Sequence, residues 1–477
     1  MAVLAAYIVP HPPLIIPEVG CGREKEIQDT IDSYDAIAKE IAKLKPDTIV
    51  ICSPHTTLYA DYFHISPGKK ASGDMSQFGA PEVRLKVQYD YELVMTISGE
   101  ASAAGIAAGT QGQQDPSLDH ASFIPLYFIN KYYTNYKAVR CGYSGMGPLE
   151  HLKFGRAIRY AAEDLDRNIV FIASGDLSHK LRADGPYGYA EEGPLFDDYV
   201  VQAIKNCDLL SFLTAPSEIC GPAAECGLGS FRVMCGVLDG LDIESKFYSH
   251  QGNFGVGYCI GSFKVTACDT EKNTTDDDSE HSSDLETAYI ASFNDKMTTI
   301  RAGESPIVTF ARNYLEEYIR TGNRYDTETL ASKCNVPSSF KDQAAGAFVS
   351  IKKHGQLRGC IGTTEAVRNN IISEVAENAI SAGVRDPRFM PVTEKELSEL
   401  TYSVDILGTA ETIESMSGLD PEKYGVIVTS GNKRGLLLPD LEGVDTAEQQ
   451  VRIACSKAGI SEDENFSLER FEVIRYK

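Results

Sequence analysis

The sequence predicts two domains, an α/β domain with a mainly parallel sheet followed by a smaller α+β domain. Three observations predict this. Residues 3–9, 48–52 and 169–173 are apolar runs of strand length, the pattern of strands buried on both faces. A segment with helical period lies between the first two runs. An acidic, polar stretch at 269–284 divides a chain of 477 residues, longer than one hydrophobic core usually serves.

The elements follow in order. Ile27, Ile31, Tyr34, Ile37, Ile41 and Leu44 recur every three or four positions and Pro46 ends the pattern, so an amphipathic helix is expected between the first two strands, as a right-handed βαβ unit. Residues 149–165 have helical period before the third strand. Residues 231–241 read as a buried helix and 257–265 as a final strand. The stretch 269–284 carries seven acids (Asp269, Glu271, Asp276, Asp277, Asp278, Glu280 and Asp284) against Lys272 alone. It cannot bury enough apolar area to offset its ordering entropy, which predicts a flexible linker. A connecting helix is expected over 285–304. The predicted division is therefore 1–267, 268–304 and 305–477. In the last part, helices are expected at 306–321 and 367–382, the latter with Val367, Ile371, Val375 and Ala379 on one face and Gly383 as its stop signal. Strands are expected at 347–351, 402–407 and 435–438, the last stopped by Pro439.

Composition excludes several functions. A net charge of −23 with no basic patch argues against nucleic acid. No apolar stretch approaches the roughly 20 residues of a membrane span, and the start lacks the basic residues of a signal peptide, so the cytoplasm is the expected location. The twelve cysteines form no CxxC pair and read as reduced thiols.

His11, His55 and His179 each follow one of the predicted strands. The carboxyl ends of parallel strands point the same way, so these histidines are expected in one crevice. One histidine after a strand is usually a packed or surface residue; three of nine point to a site. Prolines at 10, 12 and 13 stiffen the turn around His11, and Pro54 precedes His55. Two rigid neutral imidazoles suit Fe(II), Zn(II) or Mn(II), and a carboxylate would complete a facial triad. Glu225, in an otherwise small and apolar segment, is the leading candidate. The alternative places Glu225 at a helix N-terminus, favoured there by the dipole. His179 and His120 are candidates for proton transfer, with His120 alternatively a capping or substrate-bonding residue. Tyr187 and Tyr189 are candidates for lining the pocket or for a surface turn.

His-Pro-Pro at 11–13, Ser-Pro-His at 53–55, Asp-His at 119–120 and Gly-Asp-Leu-Ser-His at 175–179 together resemble the class III extradiol ring-cleaving dioxygenases and their Memo-like relatives, over roughly residues 1–267. The resemblance implies that His11 and His55 are iron ligands, His179 the acid/base residue and His120 a substrate contact. It also implies a catechol-like or other small aromatic substrate. In the dioxygenases a glutamate completes the site, and in Memo-like proteins a cysteine; here Glu225 and Cys226 stand side by side.

The second domain carries three motifs, at 357–362 (Leu-Arg-Gly-Cys-Ile-Gly), 386–389 (Asp-Pro-Arg-Phe) and 431–439. Alone, Cys360 reads as a buried thiol in a tight turn, or as a reactive thiol activated by Arg358. Asp386 and Arg388 read as a structural ion pair. Residues 431–434 read as a hairpin turn with solvated Lys433 and Arg434, or as an anion site. In this order the motifs resemble the AMMECR domain, over roughly residues 305–477. The fusion resembles bacterial and archaeal proteins associated with a radical S-adenosylmethionine protein, which implies such a partner. The functional expectation is a non-haem Fe(II) enzyme of the extradiol type, the alternative a metal-binding or redox accessory protein of such a partner.

Overall fold

Strands made wholly of aliphatic and aromatic residues need cover on both faces, and the first part of the chain supplies it. The computed structural model describes residues 2–115, 117–266, 285–441, 443–461 and 464–477. It divides into two units, Met1–Phe293 and Asn294–Lys477. The acidic stretch 269–284 lies outside the described residues. Among the described residues no helix is long and apolar enough to cross a membrane.

The sheet of the first unit has six strands: β1 (Val3–Val9), β2 (Thr48–Cys52), β3 (Lys137–Cys141), β4 (Ile169–Ser174), β5 (Ile243–Gln251) and β6 (Tyr258–Val265). Their spatial order is β3-β2-β4-β1-β6-β5. The four from β3 to β1 are parallel, and β6 and β5 add an antiparallel edge. Helices cover both faces. Alternate residues of β1 separate the two cores, with Ala5, Tyr7 and Val9 packing among residues of α1 (Gln28–Leu44) and α2 (His120–Asn130). Ala6 and Ile8 pack among residues of α3 (Pro148–Asp164), α4 (Glu192–Lys205) and α5 (Leu228–Leu238).

The structure corrects the sequence reading in places. Helix α1 joins β1 to β2, but these strands are not neighbours: β4, all six of whose residues are buried, lies between them. A wholly buried strand takes this central position, where both edges and both faces are covered. Strand β5 was not expected, nor was the hairpin of Lys70–Met75 and Ala80–Gln88. In the hairpin Val83, Leu85 and Val87 turn inward while Glu82, Arg84 and Lys86 face out, a period-2 signal that short length and charge disguise.

The second unit is built on an antiparallel sheet: β7 (Ala347–Lys353), β8 (Gln356–Gly362), β9 (Leu400–Leu407), β10 (Glu411–Ile413), β11 (Tyr424–Ser430), β12 (Lys433–Leu437) and β13 (Ser467–Tyr476). The order is β8-β7-β9-β13-β11-β12, with β10 paired to β13. Helices α6 (Pro306–Thr321) and α7 (Ile371–Val384) share one core with β7 and β9, and α8 (Ala447–Ala458) shares another with β11. Helix α7 starts four residues later than its apolar pattern suggests. The Glu374 carboxylate accepts the Val367 and Arg368 N–H groups, and Asn370 caps the helix through Ser373 N–H. Val367 is left outside, 68% exposed.

Candidate metal centre

His11, His55 and His179 stand just beyond the carboxyl ends of β1, β2 and β4, where an open parallel sheet places its ligands. Histidine 120 opens α2 and joins them. The His11 ring lies 4.9 Å from that of His55 and 5.4 Å from that of His120, and His55 and His120 stack at 4.4 Å. His11 is buried at the floor, His120 and His179 are half-buried, and His55 is exposed at the mouth.

The third candidate donor atom comes from a loop between Ser217–Ala223 and α5. His11, His55 and Cys226 each offer one donor atom, and the three lie within 4.8 Å of one another. Glu225 does not join them. Its carboxylate accepts the Leu228 N–H at 2.7 Å, the helix-terminus role that the sequence left open for it. Burial pushes the Glu225 carboxyl up, while the Leu228 N–H and Arg232 oppose this. The two neighbours thus face different partners: Glu225 the start of α5, Cys226 the His11 ring at 3.7 Å.

Each ligand is held from behind. The Ser174 hydroxyl donates to the Ala121 carbonyl at 2.8 Å and lies 3.0 Å from His11 Nδ1. A hydroxyl has one proton, so with that proton on Ala121 it accepts from Nδ1–H, leaving the Nε2 lone pair on the Cys226 side. Asp176 accepts the His11 backbone N–H at 2.7 Å, and Tyr34, stacked on Phe128, donates to the Pro10 carbonyl. The Asp176 N–H donates to Cys226 Sγ at 3.3 Å, and Cys226 N–H returns a bond to the Asp176 carbonyl. A Cβ at Gly175 would overlap Gly227, so glycine is needed where these loops cross. Asp119 braces the backbone that carries the other two rings. It accepts Ser53 Oγ at 2.6 Å, whose oxygen in turn accepts the His55 N–H, and it caps α2 through Ser122 N–H. Arg140, with 5% of its side chain exposed, backs Asp119 at 3.4 Å.

All four rings are neutral at neutral pH. Burial lowers His11 well below its usual range, and the neighbouring histidines add to it. Burial also lowers His55 and His179, and takes His120 down to about 4. Burial raises Asp176 to about 7. Burial, then the Asp176 charge, pushes the Cys226 thiol up. The donor set fits a transition metal ion. Nitrogen and sulfur on one tetrahedral ion lie about 3.6 Å apart for bonds of roughly 2.1 and 2.3 Å, close to the 3.7 Å of His11 Nε2 and Cys226 Sγ. Aromatic rings flank the cluster, Phe78 against His120 at 5.4 Å and Tyr187 against His179 at 5.2 Å. Tyr189 is exposed and pairs with Leu181 in an isolated bridge.

Sequence reasoning quoted Asp119 and Asp176 within its motifs without giving them a role, and it missed Ser174 and Phe78 as parts of this site. Ser174 and Asp176 immediately precede the Leu-Ser-His segment, and that adjacency was the available signal.

The second unit's motifs form a different arrangement. Asp386 accepts the Cys360 N–H at 2.9 Å and pairs with Arg388 at 2.7 Å; Arg388 also reaches the Cys360 carbonyl. Ser350 Oγ donates to Cys360 Sγ at 3.2 Å. Arg358 binds Glu396 through two bonds of 3.0 and 3.2 Å. A Cβ at Gly359 would overlap the Ala382 carbonyl, so this glycine lets β8 lie against α7. Residues 431–432 form the expected hairpin turn, with Gly431 in the left-handed region. Lys433 and Arg434 are exposed, as expected, and make surface ion pairs with Glu464 and Glu365.

Comparison with known proteins agrees with this division. Residues 5–261 match the catalytic LigB subunit of aromatic ring-opening dioxygenase, and residues 308–477 match AMMECR1. A protein of Clostridium acetobutylicum is 40% identical over 484 residues, covering the whole of both chains. A protein of Thermotoga maritima is 48% identical over 177 residues, 37% of this chain and 99% of that one. An uncharacterized protein from Pyrococcus horikoshii of solved structure shares 27% identity over 37% of this chain and 91% of its own, with a TM-score of 0.33. With more than half of its residues matched, the chain belongs to the family of the catalytic LigB subunit of aromatic ring-opening dioxygenases, and residues 308–477 form an AMMECR1 domain.

Proposed function

We propose that the first unit is a non-haem Fe(II)-dependent enzyme of the extradiol dioxygenase type, acting on a catechol-like or other small aromatic substrate. His11, His55 and Cys226 would hold the ion, with Zn(II) and Mn(II) as alternatives. The observation that carries this reading is the convergence of three donor atoms within 4.8 Å, with the His11 tautomer fixed by Ser174. A bound ion would be held by these three side chains and would supply a binding point for the two oxygens of a vicinal diol and the redox chemistry that O2 needs. The chain's own groups do the rest. His179, neutral because burial lowers it, takes the proton of a substrate hydroxyl. His120, at about 4, is a base or hydrogen-bond acceptor at neutral pH rather than an acid. Phe78 and Tyr187, in edge contact with His120 and His179, offer apolar surface to a flat ring.

One observation favours a second reading: the third donor is a thiol, not a carboxylate. Thiolate shifts preference toward softer ions and alters redox behaviour, which suits a metal-binding accessory protein of a radical S-adenosylmethionine partner without ring cleavage.

Anaerobic Fe(II) titration of wild type, His11→Ala and His55→Ala tests the site, and substrate-dependent O2 uptake over a panel of catechols tests the activity. Tight binding lost in both variants, with O2 uptake abolished in His179→Ala, is the expected result. Binding without uptake for any diol moves the assignment to the accessory role; undiminished binding in both variants removes the metal site.

A further inference from the structure

We infer that Asp197, braced by His250, is the positioning residue for His179. This rests on the reading of His179 as the proton-transfer residue. The segment Leu177-Ser178-His179 runs free of the sheet and is gripped from two sides. On one side Ser178 Oγ and His179 N–H both donate to the Ala223 carbonyl at 3.0 Å, at the start of the loop that carries Cys226. On the other, Leu177 and Ser178 exchange backbone bonds of 2.8 Å with Gly257, before β6. These grips use neutral groups. Asp197 adds a charged one from α4: its Oδ1 accepts the Ser178 N–H at 2.8 Å, and its Oδ2 lies 2.7 Å from His250 Nε2 on β5.

A carboxylate with 2% of its side chain exposed is costly where packing alone is needed, since an apolar residue of the same size would avoid its desolvation. The surroundings are shaped for it: a Cβ at Gly257 would overlap Asp197 Oδ2. Burial raises the Asp197 carboxyl, while the His250 bond and the Ser178 N–H oppose this. His250 has 29% of its side chain exposed, so the dyad reaches from solvent to the backbone next to His179. None of its atoms bonds His11, His55 or Cys226 in the contacts described, so its loss should misplace His179 and spare the ligands.

The test uses the full-length protein, with Zn(II) as a diamagnetic ion, and follows the His179 ring by NMR of 13C-labelled histidine in Asp197→Asn, His250→Ala and His250→Gln. Fe(II) affinity is measured alongside. Asp197→Asn and His250→Ala are expected to split or broaden the His179 resonance while Fe(II) affinity stays within about twofold. His250→Gln, which keeps an N–H donor for the carboxylate, should restore a single sharp resonance. An unshifted resonance in both disruptive variants overturns the inference, as does a parallel tenfold loss of Fe(II) affinity, which marks general loosening. If Asp197→Asn does not fold, the two His250 variants decide alone. Turnover retained in His179→Ala would instead sink the role of His179 and leave the ring measurement standing.

Discussion

The two units each place a cysteine beside charged or titratable neighbours, and they treat it in opposite ways. Beside Cys226 the His11 and His55 rings are neutral at neutral pH, their donor atoms and the Cys226 sulfur lie within 4.8 Å of one another, and the group is backed by Ser174, Asp176 and Asp119. Around Cys360 the charges neutralise one another: Asp386 with Arg388, Arg358 with Glu396. The first arrangement brings together nitrogen and sulfur donors of the kind that suit a transition metal ion. The second is complete without one. Conspicuous motif chemistry thus gathers metal-type donor atoms in one unit and forms a latch between β8 and its neighbours in the other.

Metal binding breaks or sharpens this contrast most directly. Cys226→Ala should weaken Fe(II) binding on the order of 100-fold or more, since it removes a ligand, whereas Cys360→Ala and Glu225→Ala should leave it within about threefold. Isothermal titration under anaerobic conditions reads all three. An equal loss in Cys360→Ala would erase the distinction between the units, and a loss in Glu225→Ala alone would return the third ligand to the carboxylate.

A smaller effect probes the support of a ligand rather than the ligand. Ser174→Ala removes the group that fixes the His11 tautomer, and outer partners of this kind are worth roughly 10- to 100-fold in metal affinity. The same titration checks it. Affinity unchanged from wild type would mean that His11 holds its orientation without the hydroxyl, through Asp176 and the Pro10 turn.

The sequence made much of this legible, and its failures have physical causes. His11, His55 and His179 could be found because strand ends in a parallel sheet are marked by apolar runs, and Pro10 and Pro54 mark the turns after two of them. The choice between Glu225 and Cys226 could not be read. It depends on which of two adjacent side chains leaves a turn toward His11, and Ala224, at φ 54°, sets that turn in the left-handed region without a glycine to announce it. Strand order was hidden for a related reason: α1 links β1 and β2 in sequence, while the position between them goes to β4, more than a hundred residues later. Asp197 and His250 lie 53 positions apart, and no local pattern connects them.

The smallest effect belongs to the latch. Asp386→Asn should destabilise the second unit by about 1.5 kcal/mol, the lower range for hydrogen bonds to a charged group. Arg388 has 54% of its side chain exposed, so the ion pair alone contributes less than about 1 kcal/mol. The larger share comes from the Cys360 and Arg388 backbone N–H groups, which bond a carboxylate only 2% exposed. For a domain of this size the loss corresponds to a fall of about 3–6 °C in Tm, measurable by calorimetry without any metal. Its pH dependence has a definite sign. The Arg388 bonds hold the Asp386 carboxyl well below the usual carboxylate range, with the Cys360 and Arg388 N–H groups adding to this. The native state therefore favours the ionised form, and its advantage over the variant is fully present above the unfolded value near 4. It shrinks as pH falls below that value toward the depressed native one. An advantage that instead grew on acidification would mean that Asp386 is held protonated, and Cys360 would then stand beside an uncompensated arginine, as an activated thiol requires.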